Sequence, residues 1–387
     1  MLLIKLAVRN LSRRRARSIL TIIGVGIAIA FTVTILSMSE GLMVSFENSI
    51  AKQGADVIIV PKEAEAYPYP DVAAFVGSFP EELLDEIEKV DNVGATFPVF
   101  TAIPMDFMPE KPGAMPLLYG VTPEYFPEVV PYLELAEGRY IEDGDEFTIV
   151  AGSGIARVAE LSPGVSLEFR GKSFEVVGIL ESSGSMDDGM LYTPLKGLQE
   201  AYSKPGQLTF VPVKVNDISL AEETAQEISD RWPIVSAQTQ ESLIDKFTDL
   251  MGIVEAANIG LSTVALLIGI LFILSTMIMA VGERVKEIGT MRAIGMHRSY
   301  IFQLVITESL ITSLIAGVIG CISGYLLSLG ITYILSEFFG LTYFAPMVNA
   351  RIFLTGICIA IVVGALAGLY PAWRISKTNI VQALRYE

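Results

Sequence analysis

Hydrophobic positions along this chain follow two rules. Four stretches are apolar almost without a break. Between the first and second of them, apolar residues instead alternate with polar ones or recur at helical spacing. Ala256 to Gly282 and Ser309 to Ser336 hold no charged residue, and each exceeds the roughly 20 apolar residues that cross a bilayer as a helix. Ile19 to about Met43 and Ile352 to about Tyr370 have the same character. The pattern predicts a membrane protein with four transmembrane α-helices. The first run follows a basic head and contains Ala28-Ile29-Ala30, which fits a signal-cleavage pattern. It continues through Phe31 to Met38, which is anchor length, so it is read as a span.

The intervening region predicts a large extracytoplasmic α+β domain between helices 1 and 2. Ala55 to Val60 reads as a strand, Pro80 to Val90 as a helix with acids in its first turn, and Val93 to Phe100 as a second strand. Phe210 to Val215, Leu220 to Arg231 and Ile234 to Gln238 repeat the strand-helix-strand order. Two such pieces separated by an insertion predict a ferredoxin-like split base. The β-rich insertion, Thr101 to Pro205, includes a hairpin of Ser166 to Phe169 and Ser173 to Leu180 across Arg170-Gly171-Lys172. Residues 61–80 and 104–131 are proline-rich and aperiodic, and read as loops. Val44 to Ala51 and Gln240 to Glu255 extend spans one and two as stalks. Leu243, Phe247, Leu250 and Val254 form one apolar stripe on the second stalk. Its partner is the first stalk, a second subunit, or the chain's own soluble domain.

Charge sharpens this layout. The net charge is −16, and residues 45–250 hold 36 acids against 13 bases, whereas residues 1–18 hold six bases and no acid. Basic clusters mark the cytoplasmic side. The expectation is a multi-pass cell (cytoplasmic) membrane protein with both termini cytoplasmic and residues 52–239 extracytoplasmic. Residues 1–18 read as an amphipathic helix attracted to anionic membrane lipid. The acidic field argues against nucleic acid as a ligand. Cys321 and Cys358 lie inside apolar runs and cannot staple the soluble domain.

Candidate chemistry concentrates between spans two and three. Val281 to Glu308 carries Arg284, Lys286, Arg292 and Arg298 against Glu283 and Glu287, with Val285, Ile288, Met291 and Ile294 at helical spacing. The stretch predicts a short amphipathic helix that either docks on a partner or rests on lipid headgroups. Ile288, Met291 and Ile294 are its expected apolar ridge. Glu308 enters the apolar run, and nearby loop arginines are its expected partners. Gly320 with Gly324, and Gly364 with Gly368, are small-residue faces for close helix packing. Ser166 to Ser173 ends like a phosphate-binding loop, but its Gly-Lys falls in a predicted hairpin turn where no row of backbone N–H groups forms. His297 is the only histidine, so a metal site or histidine-based triad has no second member.

Four passages carry a family resemblance: LAVRNLSRRRARSILTIIGVGIAIA, GVSLEFRGKSFEVVGIL, ERVKEIGTMRAIGMHRSYIFQLVITESLI and LYPAWRISKTNIVQALRYE. The chain resembles, end to end, a permease of the MacB/FtsX/LolC type, the membrane subunit of type VII ABC transporters. The resemblance implies Glu283, Arg284, Glu287, Ile288, Gly289, Arg292, Ala293, Ile294 and Gly295 as an ATPase-docking coupling helix, beside the ridge residue Met291. It places Glu308 at the family's acidic position. It implies a dimer of permeases, homo- or heteromeric, and two copies of an ABC ATPase subunit, through which alone ATP acts. No cofactor is expected on the chain itself, and no catalytic residue. The ATPase is expected to be a separate polypeptide, since this sequence opens at the permease. The implied mechanism is mechanotransmission, for export or extraction of a lipophilic or peptide substrate. An FtsX-like regulator of an extracytoplasmic hydrolase and a ligand sensor are the alternatives.

Along the chain, residues 1–18 are expected as the cytoplasmic helix and 19–51 as helix 1 with its stalk. Residues 52–239 are the expected MacB-like periplasmic core domain, with base 52–100 and 206–239 and insertion 101–205. Stalk and helix 2 take 240–281, and the coupling helix takes 282–299. Helix 3 is expected at 300–335, the external loop at 336–351, helix 4 at 352–371 and the cytoplasmic tail at 372–387.

Overall fold

The computed structural model describes residues 7, 9, 15–52, 54–70, 73–106, 116–126, 130–339 and 346–377. The expected helix at 1–18 lies largely outside these residues, as do most of the tail 372–387 and the middle of the loop 336–351. In chain order, α1 (Arg15–Lys52) leads to β1 (Val57–Pro61), α2 (Ala73–Val76), β2 (Phe79–Pro80), α3 (Leu84–Ile87), β3 (Val93–Thr96), β4 (Val99–Ala102) and β5 (Leu117–Val121). Then come β6 (Leu135–Gly138), β7 (Thr148–Ala151), α4 (Ser153–Val158), β8 (Ser166–Phe169), β9 (Lys172–Leu180), β10 (Met190–Pro194) and α5 (Leu195–Ala201). The soluble part closes with β11 (Gln207–Leu208), β12 (Val211–Val215), α6 (Ala221–Arg231) and β13 (Val235–Thr239). Last are α7 (Gln240–Gly282), α8 (Val285–Ala293), α9 (Arg298–Phe339) and α10 (Ala350–Ser376).

The chain divides into two compact units. One holds residues 1–40, 254–330 and 346–387, and the other 41–253 and 331–345. Among the described residues, four helices are long and apolar enough to cross a membrane. At about 1.5 Å per residue, 27 residues already exceed a hydrocarbon core of roughly 30 Å. α7 and α9, at 43 and 42 residues, exceed it about twofold. The expected spans therefore sit inside longer helices. α10 also runs through Pro371 to Ser376, beyond the expected end near Tyr370. The core of the helical unit is Val25, Ile29 and Val33 of α1, Ile273 and Met277 of α7, Ala316 and Cys321 of α9, and Ala360, Val363 and Ala367 of α10.

The soluble unit holds two main sheets. The first has order β13-β1-β12-β3 with every pairing antiparallel. Numbered among themselves, these four strands run 4-1-3-2, the ferredoxin-like order. All five residues of β1 are buried, because it is central in that sheet. The second sheet has order β4-β5-β10-β7-β9-β6, with β8 paired to β9, and mixes parallel and antiparallel pairs. The predicted hairpin forms: Phe169 pairs with Lys172, and Arg170 and Gly171 take the left-handed φ of 52° and 73° that a two-residue turn needs.

Three local expectations are corrected. Val93 to Phe100 is two strands in different sheets, because Pro98 cannot donate to a ladder and the chain changes sheet there. Pro80 to Val90 is not one α-helix. Phe79 and Pro80 pair with β11, and the chain then makes a 3₁₀ turn at Glu81–Leu83 and the single turn α3, which buries Leu84 and Ile87. The stretches read as loops contain α2, β2 and the strand β5. β5 pairs antiparallel with β4 and in parallel with β10, about 70 residues away, and sits between them, so local alternation did not mark it.

The stalk stripe has a partner within the chain for its first half. Phe247 stacks on Phe46 of α1 at 3.7 Å between centroids and 21° between planes, with Tyr69 edge-on to both. Leu243 and Phe247 are buried in one cluster with Phe46, Ile50, Ile58 and Val60. Leu250 and Val254, on the same stripe, remain exposed.

Candidate functional site

The segment between α7 and α9 is built by local rules. α8 begins after Arg284, which has no side-chain cap. Glu287 in its first turn and Arg292 in its last both suit the helix dipole. It ends at Gly295, whose φ is +102°. The Met296 N–H bonds the Met291 carbonyl and the Gly295 N–H the Arg292 carbonyl, each at 3.1 Å, which is a Schellman end. No heavy atom lies within 4 Å of where a Cβ on Gly295 would stand, so glycine is required here by backbone conformation and not by a close neighbour.

The expected ridge of Ile288, Met291 and Ile294 is corrected by the packing. Ile288 and Gly289 are buried. Ile288 sits in a cluster with Ile301 and Val305 of α9 and Ala372 and Ile375 of α10, and Met291 packs against it half-buried. Of the three, only Ile294 faces out, at 82% exposure, with Met296 exposed beyond it. The burial has a simple cause: α8 must cover the ends of α9 and α10, and its i and i+3 positions are the apolar ones that can. Glu287, Ala293 and Gly295 are exposed, and Arg292 is half-buried.

Two ion pairs flank the start of α8. Arg284 Nη1 donates to Glu308 Oε2 at 3.1 Å and Oε1 at 3.3 Å. The side chains are 13% and 8% exposed, so this pair is nearly dry. Arg284 is thus the loop arginine that meets the acid on α9. Glu283 turns the other way and takes both Nη atoms of Arg17 on α1, at 2.5 and 3.2 Å. Arg17, Ala372 and Ile375 were not singled out as site residues from the sequence. The apolar spacing of Ala372 and Ile375 in the closing helix was the available signal.

The four packing glycines lie where helices approach closely, two against backbone and two against serine side chains. A Cβ on Gly320 would stand 2.8 Å from the Gly26 carbonyl oxygen, and one on Gly324 would stand 2.6 Å from that of Ala30. Both therefore face α1. On α10, a Cβ on Gly364 would meet Ser313 of α9 at 2.0 Å, and one on Gly368 would meet Ser309 at 2.8 Å. Close approach lets polar groups bond across helices. Thr34 Oγ1 donates to the Gly324 carbonyl at 2.9 Å, and Ser309 Oγ to the Gly364 carbonyl at 2.7 Å.

Four long apolar helices, a short helix clamped between two of them, and a two-sheet domain between the first two define a multi-pass membrane protein with a large inserted domain. The family model described as the MacB-like periplasmic core domain matches residues 18–231, and that of the FtsX-like permease C-terminal matches residues 259–380. The chain belongs to this family: it is an ABC transporter permease of the MacB/FtsX type. An ABC transporter permease of Methanocaldococcus jannaschii is 27% identical over 100% of this chain and 98% of its own length. The permease YknZ of Bacillus subtilis is 23% identical over 99% of this chain and 98% of its own. The macrolide export ATP-binding/permease protein MacB of Bdellovibrio bacteriovorus is 24% identical over 98% of this chain, which spans 61% of that protein.

Proposed function

We propose that this permease is non-catalytic and is driven by a separate ABC ATPase docked on α8. One observation carries the reading: α8 is fastened on several sides yet leaves Ile294 bare. Arg17 ties Glu283 to α1, while Arg284 and the Ile288 cluster tie the segment to α9 and α10. A displacement applied at Ile294 and Met296 then moves three long helices together, and is not absorbed in a loose loop. The joint ATP-binding and permease name of the MacB relative supports an ATPase partner.

In this reading two ATPase subunits serve a permease dimer, homo- or heteromeric, and ATP acts only through them. The α8 segment and both termini face the cytoplasm, and residues 52–239 face outward. ATPase closure moves α8, and α1, tied to it through Arg17, and α7, which leads straight into it, carry the motion onward, each as one unbroken helix. This mechanotransmission exports or extracts a lipophilic or peptide substrate that need not cross the bilayer through the permease. The test is affinity purification of the full chain from native membranes, wild type beside Ile294→Asp. Wild type is expected to retain an ABC ATPase and the variant to lose it with its melt unchanged. Equal retention by both overturns docking at α8. Recovery of an extracytoplasmic hydrolase with the wild type would instead mark a regulator.

A further inference from the structure

The helical unit carries a groove that the coupling reading does not use. It lies between α7 and α10 and has a volume of about 720 Å³. Its walls are apolar, with Leu266 and Ile270 on α7 facing Leu354, Val362 and Leu366 on α10. One charged side chain lines it, Arg351. From Arg351 to Leu366 the α10 wall rises about 22 Å. That is longer than one leaflet of a hydrocarbon core of roughly 30 Å.

Three features of Arg351 select the occupant. It is the only lysine or arginine between Arg298 and Arg374. Among the described residues its guanidinium has no ion pair and no hydrogen bond, and Glu40, at the same helix end, accepts from Asn349 instead. It also stands in the first turn of α10, just after the N-cap Asn349. A cation there is opposed by the positive end of the helix dipole, and an anion is favoured by both charges together. A strip of apolar wall with one unpaired cation at its end matches an acyl chain with a negative head.

We propose that this groove binds one acyl chain of an anionic phospholipid, with the lipid phosphate held by the Arg351 guanidinium. The charge selects the headgroup and the groove seats the chain. The site is independent of ATPase docking at α8, so its failure and that of the docking reading are separable.

The experiment is native mass spectrometry of the full chain in detergent, titrated with phosphatidylglycerol or phosphatidylcholine. Wild type is expected to bind phosphatidylglycerol about tenfold more tightly, as a charge-assisted phosphate contact allows. Arg351→Gln should make the two lipids equal. Val362→Trp should weaken both by filling the groove. Leu326→Trp, on an exposed position of α9, should weaken neither. A phosphatidylglycerol preference that survives Arg351→Gln, or full binding to Val362→Trp, overturns the proposal. So does oxidative cross-linking of two chains through Cys358 in native membranes. Cys358 lines the groove while Cys321 is buried, so that product would make a second copy the occupant.

Discussion

Arg284 and Glu308 form a nearly dry ion pair, Nη1 to Oε2 at 3.1 Å, that joins the residue before α8 to the interior of α9. Such a pair is expensive to break from one side, because the remaining charge stays buried after losing this contact. Arg284→Met or Glu308→Leu alone should each destabilise by about 3–5 kcal/mol. The double variant should recover most of that loss, since neither charge is then left behind. Melting of the four proteins in detergent, read as a double-mutant cycle, checks this. Losses that sum in the double variant would show that the pair is not coupled.

Ile288 and Ile294 should separate packing from docking. Ile288→Asp places a charge among Ile301, Val305, Ala372 and Ile375, and should lower expression and melting temperature. Ile294→Asp changes an exposed side chain and should leave the melt within about 0.5 kcal/mol of wild type. Fluorescence-detected size exclusion with a temperature ramp distinguishes the two.

The helix-packing glycines should tolerate no added carbon. Gly324→Ala puts a Cβ 2.6 Å from the Ala30 carbonyl oxygen, and that contact is backbone, which cannot rotate away. The expected cost is about 1–3 kcal/mol, with loss of the Thr34 bond to the same turn. Gly330→Ala meets nothing within 4 Å and should behave as wild type or slightly better. The comparison is made by melting the full chain in one detergent.

Acid should weaken the soluble unit partly through Asp145. The Arg139 guanidinium holds its carboxyl below the ordinary range, helped by the Glu142 backbone N–H, against the opposing effect of burial. A depressed folded pKa adds stability above the unfolded value of about 3.9, and that stability is lost as pH falls through the folded value. Arg139 is 41% exposed, so solvent screening holds the contribution to about 1 kcal/mol or less. Arg139→Ala should therefore be slightly less stable at pH 7, with the gap closing below about pH 3. A gap that stays constant down to about pH 2 would assign the effect to lost packing of the arginine stem.

Hydrophobic patterning alone was enough to locate four membrane helices, an acidic domain between the first two, and an amphipathic helix after the second. Uninterrupted apolar runs and a 3.6-residue period are local signals, and they survive any tertiary arrangement. The split base was legible in part: its second strand-helix-strand piece announces itself within about 30 residues, whereas the first has only a 3₁₀ turn and one helical turn where a helix was read. Chain order does not encode which surface a helix turns inward. The spacing of Ile288, Met291 and Ile294 marks one stripe, and only the ends of α9 and α10 decide that its first two members are covered and Ile294 is left bare. The same limit explains β5 and the break at Pro98, whose roles depend on partners far away in sequence. Burial is a property of the neighbour as much as of the residue. The tertiary structure therefore decided the pairing of Arg284 with Glu308, of Arg17 with Glu283, and, among the described residues, of Arg351 with none.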